Sequence, residues 1–515
     1  MVERAGPVRE DGSPARVPAP ARPIRAFTGL MFLCALGLAV VTWVALSRPF
    51  DPGQEAAPAV RPDPAAARAA AELPRHPGSV LALTYHGVSD AGGAGGTLSR
   101  ELFGEHMATL AAAGYETVRL RDVEDLLAGR PVRLPSRPLL ITFDDGRLTD
   151  WTNADPVLRE HGFTAVGFLT TGKIVRPGTP SRHLSTRQVR ELAATGRWEF
   201  GSHSHDQHDL TDVPGDVAAP LPNLILVDGK RETIEHWRAR VRRDLARSQR
   251  FFRETLGRQA TAFSYPFGEP GGSGNDPRTA AELPALLREA GFAEAFVGEN
   301  VPTGHVDALT ARSPRWALDR IGVRATTSTA ALLTMIRAAV PAPPPRDLSA
   351  SPWTGDRARC RRRGSDLLVS GHAYGGCRLS GVNTSQWTDY RVTTAVSGID
   401  PRTSALIAVR DGAGAGHRGR VEVVIGAASV LARQQFGNGR PVVLGRRPIA
   451  SRTGARDVRI EVRGARLTVA VAGAAPLRAA IDTRLGRGSP AFGIATRDRR
   501  TLTFHEPMFG PLHAG

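Results

Sequence analysis

The pattern of apolar residues changes in the second half of the chain, and this change limits the fold more than any other feature of the sequence. From Val80 to about residue 340, short apolar runs alternate with amphipathic stretches of helical spacing. Such alternation predicts parallel strands joined by helices, in a barrel or a doubly wound sheet. Beyond residue 350 the apolar residues recur with a period of two, between turns rich in Gly, Asp and Arg. The sequence therefore predicts an α/β domain at 80–340, a stiff linker at 341–350 and an all-β sandwich at 351–515.

An uncharged stretch near the N-terminus predicts a membrane anchor. Ala26–Ser47 holds 22 residues without a charge, which is long enough to cross a bilayer. Arginines precede it, so the N-terminus is expected in the cytoplasm. The expected order is a disordered cytoplasmic segment at 1–23, a single transmembrane helix at 24–48 and a Pro/Ala-rich tether at 49–79. The α/β domain and the sandwich would then lie outside the plasma membrane; a cleaved signal peptide, the alternative, gives the same location.

The cysteines agree with that location. Cys34 lies in the predicted anchor, which leaves Cys360 and Cys377 as a candidate pair in an oxidising compartment. The spacing of the two cysteines does not by itself establish a disulfide.

Positive charge is concentrated in the C-terminal region. The chain carries a formal net charge of +17, and residues 351–515 hold 26 Arg against 11 acidic residues, a net +15. A field of this sign favours anionic envelope polymers or lipid headgroups as partners. The alternative is a solvated surface on which arginine stands in place of lysine. Nucleic acid is not an expected partner, because the region is predicted to lie outside the cytoplasm.

Candidate chemistry follows two of the predicted strands. Asp144 and Asp145 come directly after an apolar run, at the strand end where parallel α/β folds place their sites. One of two adjacent aspartates can bind a cation while the other acts as a general base. A later loop holds His203, His205 and His208, and imidazoles with a carboxylate commonly bind a hydrolytic divalent metal. The alternatives are a helix-capping acidic turn and an exposed polar loop.

Four motifs, each at the end of a predicted strand, resemble the NodB-homology polysaccharide deacetylases, the fourth family of carbohydrate esterases. They are LTYHGV (Leu83–Val88), TFDDG (Thr142–Gly146), the histidine-rich loop and SYPFGE (Ser264–Glu269). Their order is similar to that of the circularly rearranged members that de-N-acetylate biofilm poly-N-acetylglucosamine. The resemblance covers about residues 80–340, for which we expect a distorted (β/α) barrel. It implies metal-dependent removal of N-acetyl groups from an exopolysaccharide of that type. Alternatives are a peptidoglycan or chitin-type deacetylase, or an inactive protein that binds envelope glycans.

The resemblance also implies roles for individual residues. Asp144 would be the base that activates the attacking water, and His86 the acid that protonates the leaving amine. Asp145, His203 and His208 would bind one divalent ion, expected to be zinc, with nickel, cobalt or iron as alternatives. The residues implied for the floor of the site and its oxyanion-binding N–H groups are Tyr265, Pro266 and Phe267.

The sequence departs from the family pattern at two places. Many relatives space the two metal histidines four residues apart, but here position 207 is Gln. A spacing of five occurs in the poly-N-acetylglucosamine branch, which favours His208 and leaves His205 as the rival ligand. The last motif often opens with an arginine that orients the catalytic aspartate, but Ser264 stands there. Arg320 is the candidate replacement; the alternative is that it is a surface charge.

The C-terminal region resembles, more weakly, the concanavalin-like or laminin-G-like sandwiches that accompany carbohydrate-active enzymes. The resemblance rests on DVRIEVRGARLTVAVAG and the closing FGIATRDRRTLTFHEPMFG. Trp387, Tyr390 and Phe436 could stack on sugar rings, but we favour the alternative that they fill the sandwich core.

Overall fold

The computed structural model describes residues 61–512, except for short gaps at 91, 94–95, 272–273, 299–305, 343–352, 381, 413–418, 438 and 451–453. The predicted cytoplasmic segment and membrane anchor lie outside the described residues, as does most of the predicted linker. Within the described ranges, no helix is both long enough and apolar enough to span a bilayer.

The first half of the described chain is built on an eight-stranded sheet in which all pairs are parallel. Its central strands are buried on both faces and read as continuous apolar runs, as parallel sheets covered by helices require. The spatial order is β7-β6-β5-β4-β3-β1-β8, with β2 beside β3. The strands are Leu81–Tyr85 (β1), Glu116–Thr117 (β2), Pro138–Phe143 (β3), Ala165–Leu169 (β4), Trp198–Ser202 (β5), Ala262–Ser264 (β6), Glu294–Phe296 (β7) and Ile321–Gly322 (β8).

One segment joins the two ends of this sheet. Leu318 exchanges backbone hydrogen bonds with Ala295 and Val297 beside β7. Three residues later, Ile321 pairs with Leu83 of β1. Residues 315–322 therefore bridge both edges of the curved sheet, and Arg320 lies inside this bridge.

Eight α-helices accompany the sheet, and several begin with a side-chain cap. The Ser185 hydroxyl and the Gln188 side chain form a reciprocal capping box at the start of α5, while Gly257 ends α6 in the left-handed conformation. The helices are Pro64–Ala71 (α1), Arg100–Ala112 (α2), Leu120–Leu127 (α3), Asp155–Glu160 (α4), Thr186–Ala194 (α5), Ile234–Leu256 (α6), Pro277–Glu289 (α7) and Thr329–Ala339 (α8). A π-helical turn at Asp150–Ala154 precedes α4.

The predicted tether at 49–79 departs from expectation in its second half. Pro64–Ala71 is helical, capped by the Asp63 carboxylate, with Ala70 buried. Leu73 is also buried and belongs to the main core. Alanine is the best helix former, so a run of alanines after a capping aspartate folds once a core is available to cover it.

The second half consists of two seven-stranded antiparallel sheets. One has the order β9-β12-β21-β14-β15-β16-β17 and the other β10-β11-β22-β13-β18-β19-β20. The strands are Trp353–Asp356 (β9), Arg359–Arg363 (β10), Asp366–Gly371 (β11), Tyr374–Leu379 (β12), Tyr390–Ser397 (β13), Thr403–Asp411 (β14), Gly419–Ile425 (β15), Ser429–Phe436 (β16), Val442–Pro448 (β17), Arg456–Arg463 (β18), Arg466–Val471 (β19), Leu477–Ala480 (β20), Ser489–Thr496 (β21) and Arg500–Pro511 (β22).

A single apolar cluster contains residues of both sheets. Trp387 and Tyr390 are buried in it, as the core interpretation of these aromatics predicts, while Phe436 packs at its margin under the guanidinium of Arg484. Cys360 and Cys377 form a disulfide that joins β10 to β12 and so links the two sheets. Buried residues alternate with partly or fully exposed residues along β13 and β18, and the buried ones contribute to this layer.

Buried polar contacts connect the two halves. The Asp307 carboxylate accepts hydrogen bonds from Asn383 Nδ2 at 2.6 Å and from Ser385 Oγ at 3.0 Å. Trp387 Nε1 donates to the carbonyl of Ala342 at 2.7 Å. Asn383 is itself fully buried, so the sandwich is held against the parallel-sheet half by satisfied polar groups.

Candidate functional site: a carboxylate and histidine cluster at the strand ends

The predicted site residues meet at the carboxyl ends of neighbouring parallel strands. His86 follows β1, and Asp144 with Asp145 follows β3, which pairs with β1 in register. The Asp144 N–H donates to the Tyr85 carbonyl at 3.0 Å, so the two strand ends remain paired up to the site. The histidine loop follows β5, and Tyr265–Phe267 follows β6. Topology alone thus gathers residues from four separate parts of the sequence.

Each of three site loops contains a non-glycine residue in the left-handed backbone region. These residues are Asp145 at φ 75°, Ser204 at φ 68° and Phe267 at φ 58°. Such conformations cost about 1–3 kcal/mol each and persist where the surrounding structure imposes them. Gly146 is required for a related reason: at φ +69°, an added Cβ would lie 2.7 Å from Leu169 Cδ2. The backbone of these strand-end turns therefore places the site side chains at a cost in conformational energy.

Asp144 is held by the guanidinium of Arg320. Nη1 donates to Oδ1 and Nη2 to Oδ2, both at 2.8 Å, while Nη2 also donates to Ser264 Oγ at 2.8 Å. Both side chains are buried, and Arg320 has no exposed surface. Arg320 is therefore not a surface charge, and it occupies the place relative to Asp144 that was expected of an orienting arginine.

Asp145, His203 and His208 form the group of potential metal ligands. One donor atom from each residue lies within 4.8 Å of the other two, and among the described residues this is the group with such an arrangement. Asp145 Oδ1 lies 3.0 Å from His208 Nε2 and 3.8 Å from His203 Nε2. A tetrahedral ion with bonds of about 2.0–2.2 Å separates its ligand atoms by about 3.3–3.6 Å, so these atoms need to move only slightly.

Two further observations fit a metal ion at this position. Asp145 Oδ1 is buried and accepts no hydrogen bond, which is costly for a carboxylate oxygen unless a cation balances it. The Nδ1 of His203 lies 2.8 Å from the Ser264 carbonyl, which can only accept, so Nδ1 carries the proton. The Nε2 lone pair of His203 is then directed at the cluster. A backbone carbonyl that fixes the tautomer in this way is typical of metal-binding histidines.

The rival histidine lies elsewhere. His205 Nδ1 is hydrogen-bonded to Thr171 Oγ1 at 3.0 Å, and the His205 N–H donates to Asp244 Oδ2 at 2.9 Å. His205 does not belong to the ligand group, whereas His208 does. Two loop residues separate them, and the N–H groups of His205 and Asp206 are both bound by the Asp244 carboxylate on α6.

Arg147 was not anticipated from the sequence. Its Nε and Nη2 donate to Asp145 Oδ2 at 3.0 and 2.7 Å. The guanidinium therefore occupies one carboxylate oxygen and leaves Oδ1 for the cluster. The Arg147 N–H donates to the Asp150 carboxyl at 3.1 Å. No periodic pattern marks an arginine two residues after an aspartate, and the sole signal is its position directly after the DDG turn.

Burial and neighbouring charges set the protonation of the site in opposite directions. Burial alone would raise the pKa of Asp144, but the charge and hydrogen bonds of Arg320 outweigh it and lower that pKa to about 2. Burial would also raise the pKa of Asp145, but the nearby imidazoles of His208 and His203 outweigh it and hold that pKa well below its ordinary value. Burial lowers the pKa of His203 to about 4. At neutral pH the site thus holds two carboxylates and a neutral His203, the forms that bind a metal ion.

Tyr265, Pro266 and Phe267 border the cluster, with unequal roles. Tyr265 is buried and its hydroxyl donates to the Trp316 carbonyl. The Phe267 ring is 39% exposed and stacks on His208 with 5.0 Å between ring centroids. The Tyr265 N–H already donates to Phe296, and proline has no N–H. Of these three residues, Phe267 is therefore the one whose backbone N–H can serve as an oxyanion donor.

Part of the parallel-sheet half matches a known protein family. Residues 132–284 match the polysaccharide deacetylase family model. The matched residues include Asp144, Asp145, His203 and His208, while His86 and Arg320 fall outside them. The chain therefore carries a polysaccharide deacetylase domain, as the motifs predict.

Curated relatives point to one branch of that family. A poly-β-1,6-N-acetyl-D-glucosamine N-deacetylase of Staphylococcus aureus (strain MRSA252) is 27% identical over 140 residues, or 26% of this chain and 42% of the relative. The enzyme of the same name from Staphylococcus epidermidis is 29% identical over 140 residues, with the same coverage. The chain thus spans less than half the length of the curated relatives it matches. Both relatives are hydrolases by name, and the predicted resemblance to this branch is confirmed.

Among solved structures, a de-N-acetylase from Aggregatibacter actinomycetemcomitans is similar at 19% identity and a TM-score of 0.42. The match covers 50% of this chain and 99% of that chain. A structure described as IcaB from Ammonifex degensii is 25% identical, with a TM-score of 0.39 and coverage of 51% and 98%.

Proposed function

We propose that this chain hydrolyses N-acetyl groups from an amino-sugar polysaccharide outside the cytoplasm, with the help of one divalent metal ion. The observation that carries the proposal is the convergence of Asp145, His203 and His208 beside a second aspartate, Asp144, which is fixed by a buried arginine. An exopolysaccharide of the poly-N-acetylglucosamine type is the preferred substrate, because the curated relatives are named for it.

Asp145, His203 and His208 would hold the metal ion through Oδ1, Nε2 and Nε2. Two imidazoles and one carboxylate suit zinc best, while nickel, cobalt and iron accept the same donors. When bound, such an ion supplies a Lewis acid that lowers the pKa of a water molecule and polarises the amide carbonyl. Arg147 would keep Asp145 in the orientation that directs Oδ1 to the ion.

Asp144 would receive the proton of the attacking water. Its carboxylate stays ionised at neutral pH because Arg320 stabilises the negative charge. The two Arg320 hydrogen bonds also fix both carboxylate oxygens in space. Ser264 Oγ also donates to Oδ2 at 3.3 Å. Oδ1 keeps a second lone pair that Arg320 does not use, so a water molecule can still donate to Asp144. A positioned general base of this kind contributes roughly 10²–10⁴-fold to the rate.

His86 would give a proton to the departing amine. It follows Tyr85, which is paired in register with Phe143, so His86 and Asp144 emerge side by side from adjacent strands. His86 is half-exposed, whereas Asp144 is buried. The more exposed His86 lies on the side that an incoming polymer reaches first, as a proton donor to the leaving amine requires. The Phe267 N–H and the exposed Phe267 ring complete the arrangement, as oxyanion donor and as a surface for a sugar ring.

The location is proposed from two independent features. The predicted span at 24–48 would anchor the chain in the plasma membrane, with its N-terminus in the cytoplasm. The disulfide Cys360–Cys377 agrees with an oxidising compartment beyond that membrane. The sandwich, with its net charge of +15, would then face the anionic polymers of the envelope.

Acetate release from defined glycans tests the proposal. The full chain would be incubated with β-1,6-linked N-acetylglucosamine oligomers, chitin oligomers and peptidoglycan, with the Asp144→Asn variant as matched control. We expect metal-dependent acetate release that is fastest on the β-1,6-linked oligomers and falls at least about 100-fold in the variant. Faster release from chitin or peptidoglycan would reassign the substrate. Equal release by both proteins would refute the catalytic role of the cluster.

A further inference from the structure

A second cluster of reactive side chains lies in the sandwich, outside the site described above. Ser397 Oγ is 2.8 Å from His505 Nε2, and His505 Nδ1 is 3.2 Å from Asp366 Oδ2. The hydroxyl, the imidazole and the carboxylate thus form a continuous hydrogen-bonded row. Both distances lie within the range expected for a nucleophile, its base and the group that orients the base.

The strands fix this row without any loop. Asp366 begins β11, Ser397 ends β13, and His505 belongs to β22, which lies between them in the sheet. The adjacent residues Leu367, Val396 and Phe504 are buried in the sandwich core. Because side chains alternate along a strand, the three reactive residues all point away from that core, on the outer face of the same sheet.

The hydrogen bonds determine the tautomer of the imidazole. A carboxylate can only accept, so the contact with Asp366 places the His505 proton on Nδ1. Nε2 then carries a lone pair and accepts from the Ser397 hydroxyl. This is the arrangement in which an imidazole can remove a proton from serine. The reverse tautomer would turn a lone pair toward a negative carboxylate.

The row is open to a ligand. The side chains of His505 and Asp366 are 35% and 20% exposed, and Ser397 is half-buried. A depression of about 670 Å³ is lined by Asp366 and His505, with Ala395, Ala470 and the exposed Met508 supplying apolar surface. Its volume is in the range of small-molecule sites.

A second depression, of about 610 Å³, begins at Gly398, the residue after the serine, and contains the hydroxyls of Ser370 and Thr501. These two hydroxyls are hydrogen-bonded to each other at 2.8 Å. Thr501 lies two residues from Thr503, the partner of Ser397 on β22, so both hydroxyls are on the same face of the sheet as the row.

We propose that Ser397, His505 and Asp366 form a serine esterase site whose substrate class is small acyl esters. Ser397 Oγ attacks the ester carbonyl carbon while His505 Nε2 takes the hydroxyl proton. The bond to the alcohol oxygen then breaks, and that oxygen takes the proton from His505. The acyl group remains on Ser397 until water attacks its carbonyl carbon while His505 takes a proton from that water. The bond to Ser397 Oγ then breaks, the acyl group leaves as a carboxylic acid, and His505 returns the proton to Ser397 Oγ. The site needs no metal ion and is independent of the function proposed for the parallel-sheet half.

The test uses the full chain carrying Asp144→Asn, in the presence of a metal chelator, so that the other site is silent. A fluorophosphonate probe should form a covalent adduct on Ser397, located by peptide mass spectrometry. Hydrolysis of p-nitrophenyl acetate should fall about 10³-fold or more when Ser397→Ala or His505→Gln is added. The matched control is Ser429→Ala, a half-exposed serine at the start of β16 in the other sheet, which should leave the rate unchanged.

Thermal unfolding of each variant would establish that the sandwich remains folded. The covalent adduct is sought on the chain that keeps Ser397 and His505. Misfolding of the Ser397→Ala or His505→Gln variant would therefore not affect this measurement. No adduct on Ser397, together with parent-level ester hydrolysis in Ser397→Ala, would overturn the proposal. The row would then be a polar contact that merely stabilises the sheet surface.

Discussion

Among the described residues, histidine side chains contact carboxylates in two regions, and the arrangement of the side chains differs between them. At the carboxyl ends of the parallel strands, Asp145, His203 and His208 converge so that one atom from each surrounds a common point. On the outer face of the antiparallel sheet, Ser397, His505 and Asp366 follow one another in a line. Convergence of donor atoms suits a cation, whereas a line of alternating donors and acceptors suits a proton transfer. The same residue types thus point to different chemistry.

The two regions also differ in how the fold supports them. The parallel-sheet cluster lies in buried loops that contain left-handed residues such as Asp145, Ser204 and Phe267. The sandwich row lies on three strands, with a β-bulge beside His505 where Glu506 has φ 41°. Strain and burial are costs that only tightly packed surroundings can offset. We therefore expect substitutions in the first region to have the larger effects.

The largest effect is expected from the two histidines of one loop. His208→Ala should remove a metal ligand and reduce acetate release below detection, with metal content falling in parallel. His205→Ala is the matched control, because the His205 side chain contacts Thr171 and does not belong to the ligand group. The variant keeps the backbone N–H of residue 205, which donates to Asp244 and holds the loop. That variant should retain measurable activity. The reverse order of the two activities would show that His205 is the ligand.

A large loss of stability should follow from breaking the buried ion pair of the first region. Arg320→Leu leaves the Asp144 charge buried without a partner, which typically costs 3–5 kcal/mol of unfolding free energy. Arg121→Ala is a suitable control, because this arginine is 88% exposed in its ion pair with Asp125 and should change stability by less than about 1 kcal/mol. Denaturant unfolding measures both. Equal stability of the two variants would mean that Arg320 does not neutralise Asp144.

The sandwich should respond to the loss of its disulfide while the metal cluster does not. Cys360 and Cys377 close a loop with a sequence separation of 17, and a loop of about 15 residues contributes about 3 kcal/mol. Replacement of both cysteines by alanine should lower the unfolding free energy of the sandwich by about that amount. Metal content at 25 °C should stay unchanged. A parallel loss of metal would show that the two regions depend on each other more than their separate cores indicate.

The smallest effect is expected at Arg147, which orients a ligand without binding the metal. Arg147→Ala frees Asp145 Oδ2 and should weaken metal affinity by about 10–100-fold, as is typical for residues that support ligands. Arg147→Lys should recover part of the loss, because one donor to Oδ2 can be kept. Titration with zinc against a competing chelator gives the affinity of each variant. Unchanged affinity in Arg147→Ala would remove the orienting role.

Much of the fold was predictable because its signals are local. The apolar strands before the site and the capped helix Thr186–Ala194 follow directly from periodicity and cap residues. Leu120–Leu127 was not predicted, since its N-cap is Arg119 rather than a typical capping residue and the helix has only eight residues. The helix Pro64–Ala71 lies in the predicted tether, because composition alone does not indicate which alanines pack against a core.

The site residues likewise fall into those that local motifs indicate and those whose contacts only the fold reveals. Asp144, Asp145, His203 and His208 lie in compact motifs, so the sequence identified them together. The partnership of Arg320 with Asp144 spans 176 residues, and only the segment that bridges the sheet edges brings them together. The sandwich row spans separations of 108 and 139 residues and was not recognised at all. Side-chain contacts across strands leave no periodic trace when each residue lies on a different strand.

The most direct test of the central claim is the metal content of two neighbouring variants, measured with acetate release on the same samples. Asp144→Asn should keep about one divalent ion per chain and lose roughly 10²–10⁴-fold in turnover, because it removes the base but no ligand. Asp145→Asn should lose both the ion and the activity, because it removes the ligand whose Oδ1 lies nearest the two histidines. Equal metal content in both variants, or a folded parent chain that binds no divalent ion, would contradict the account.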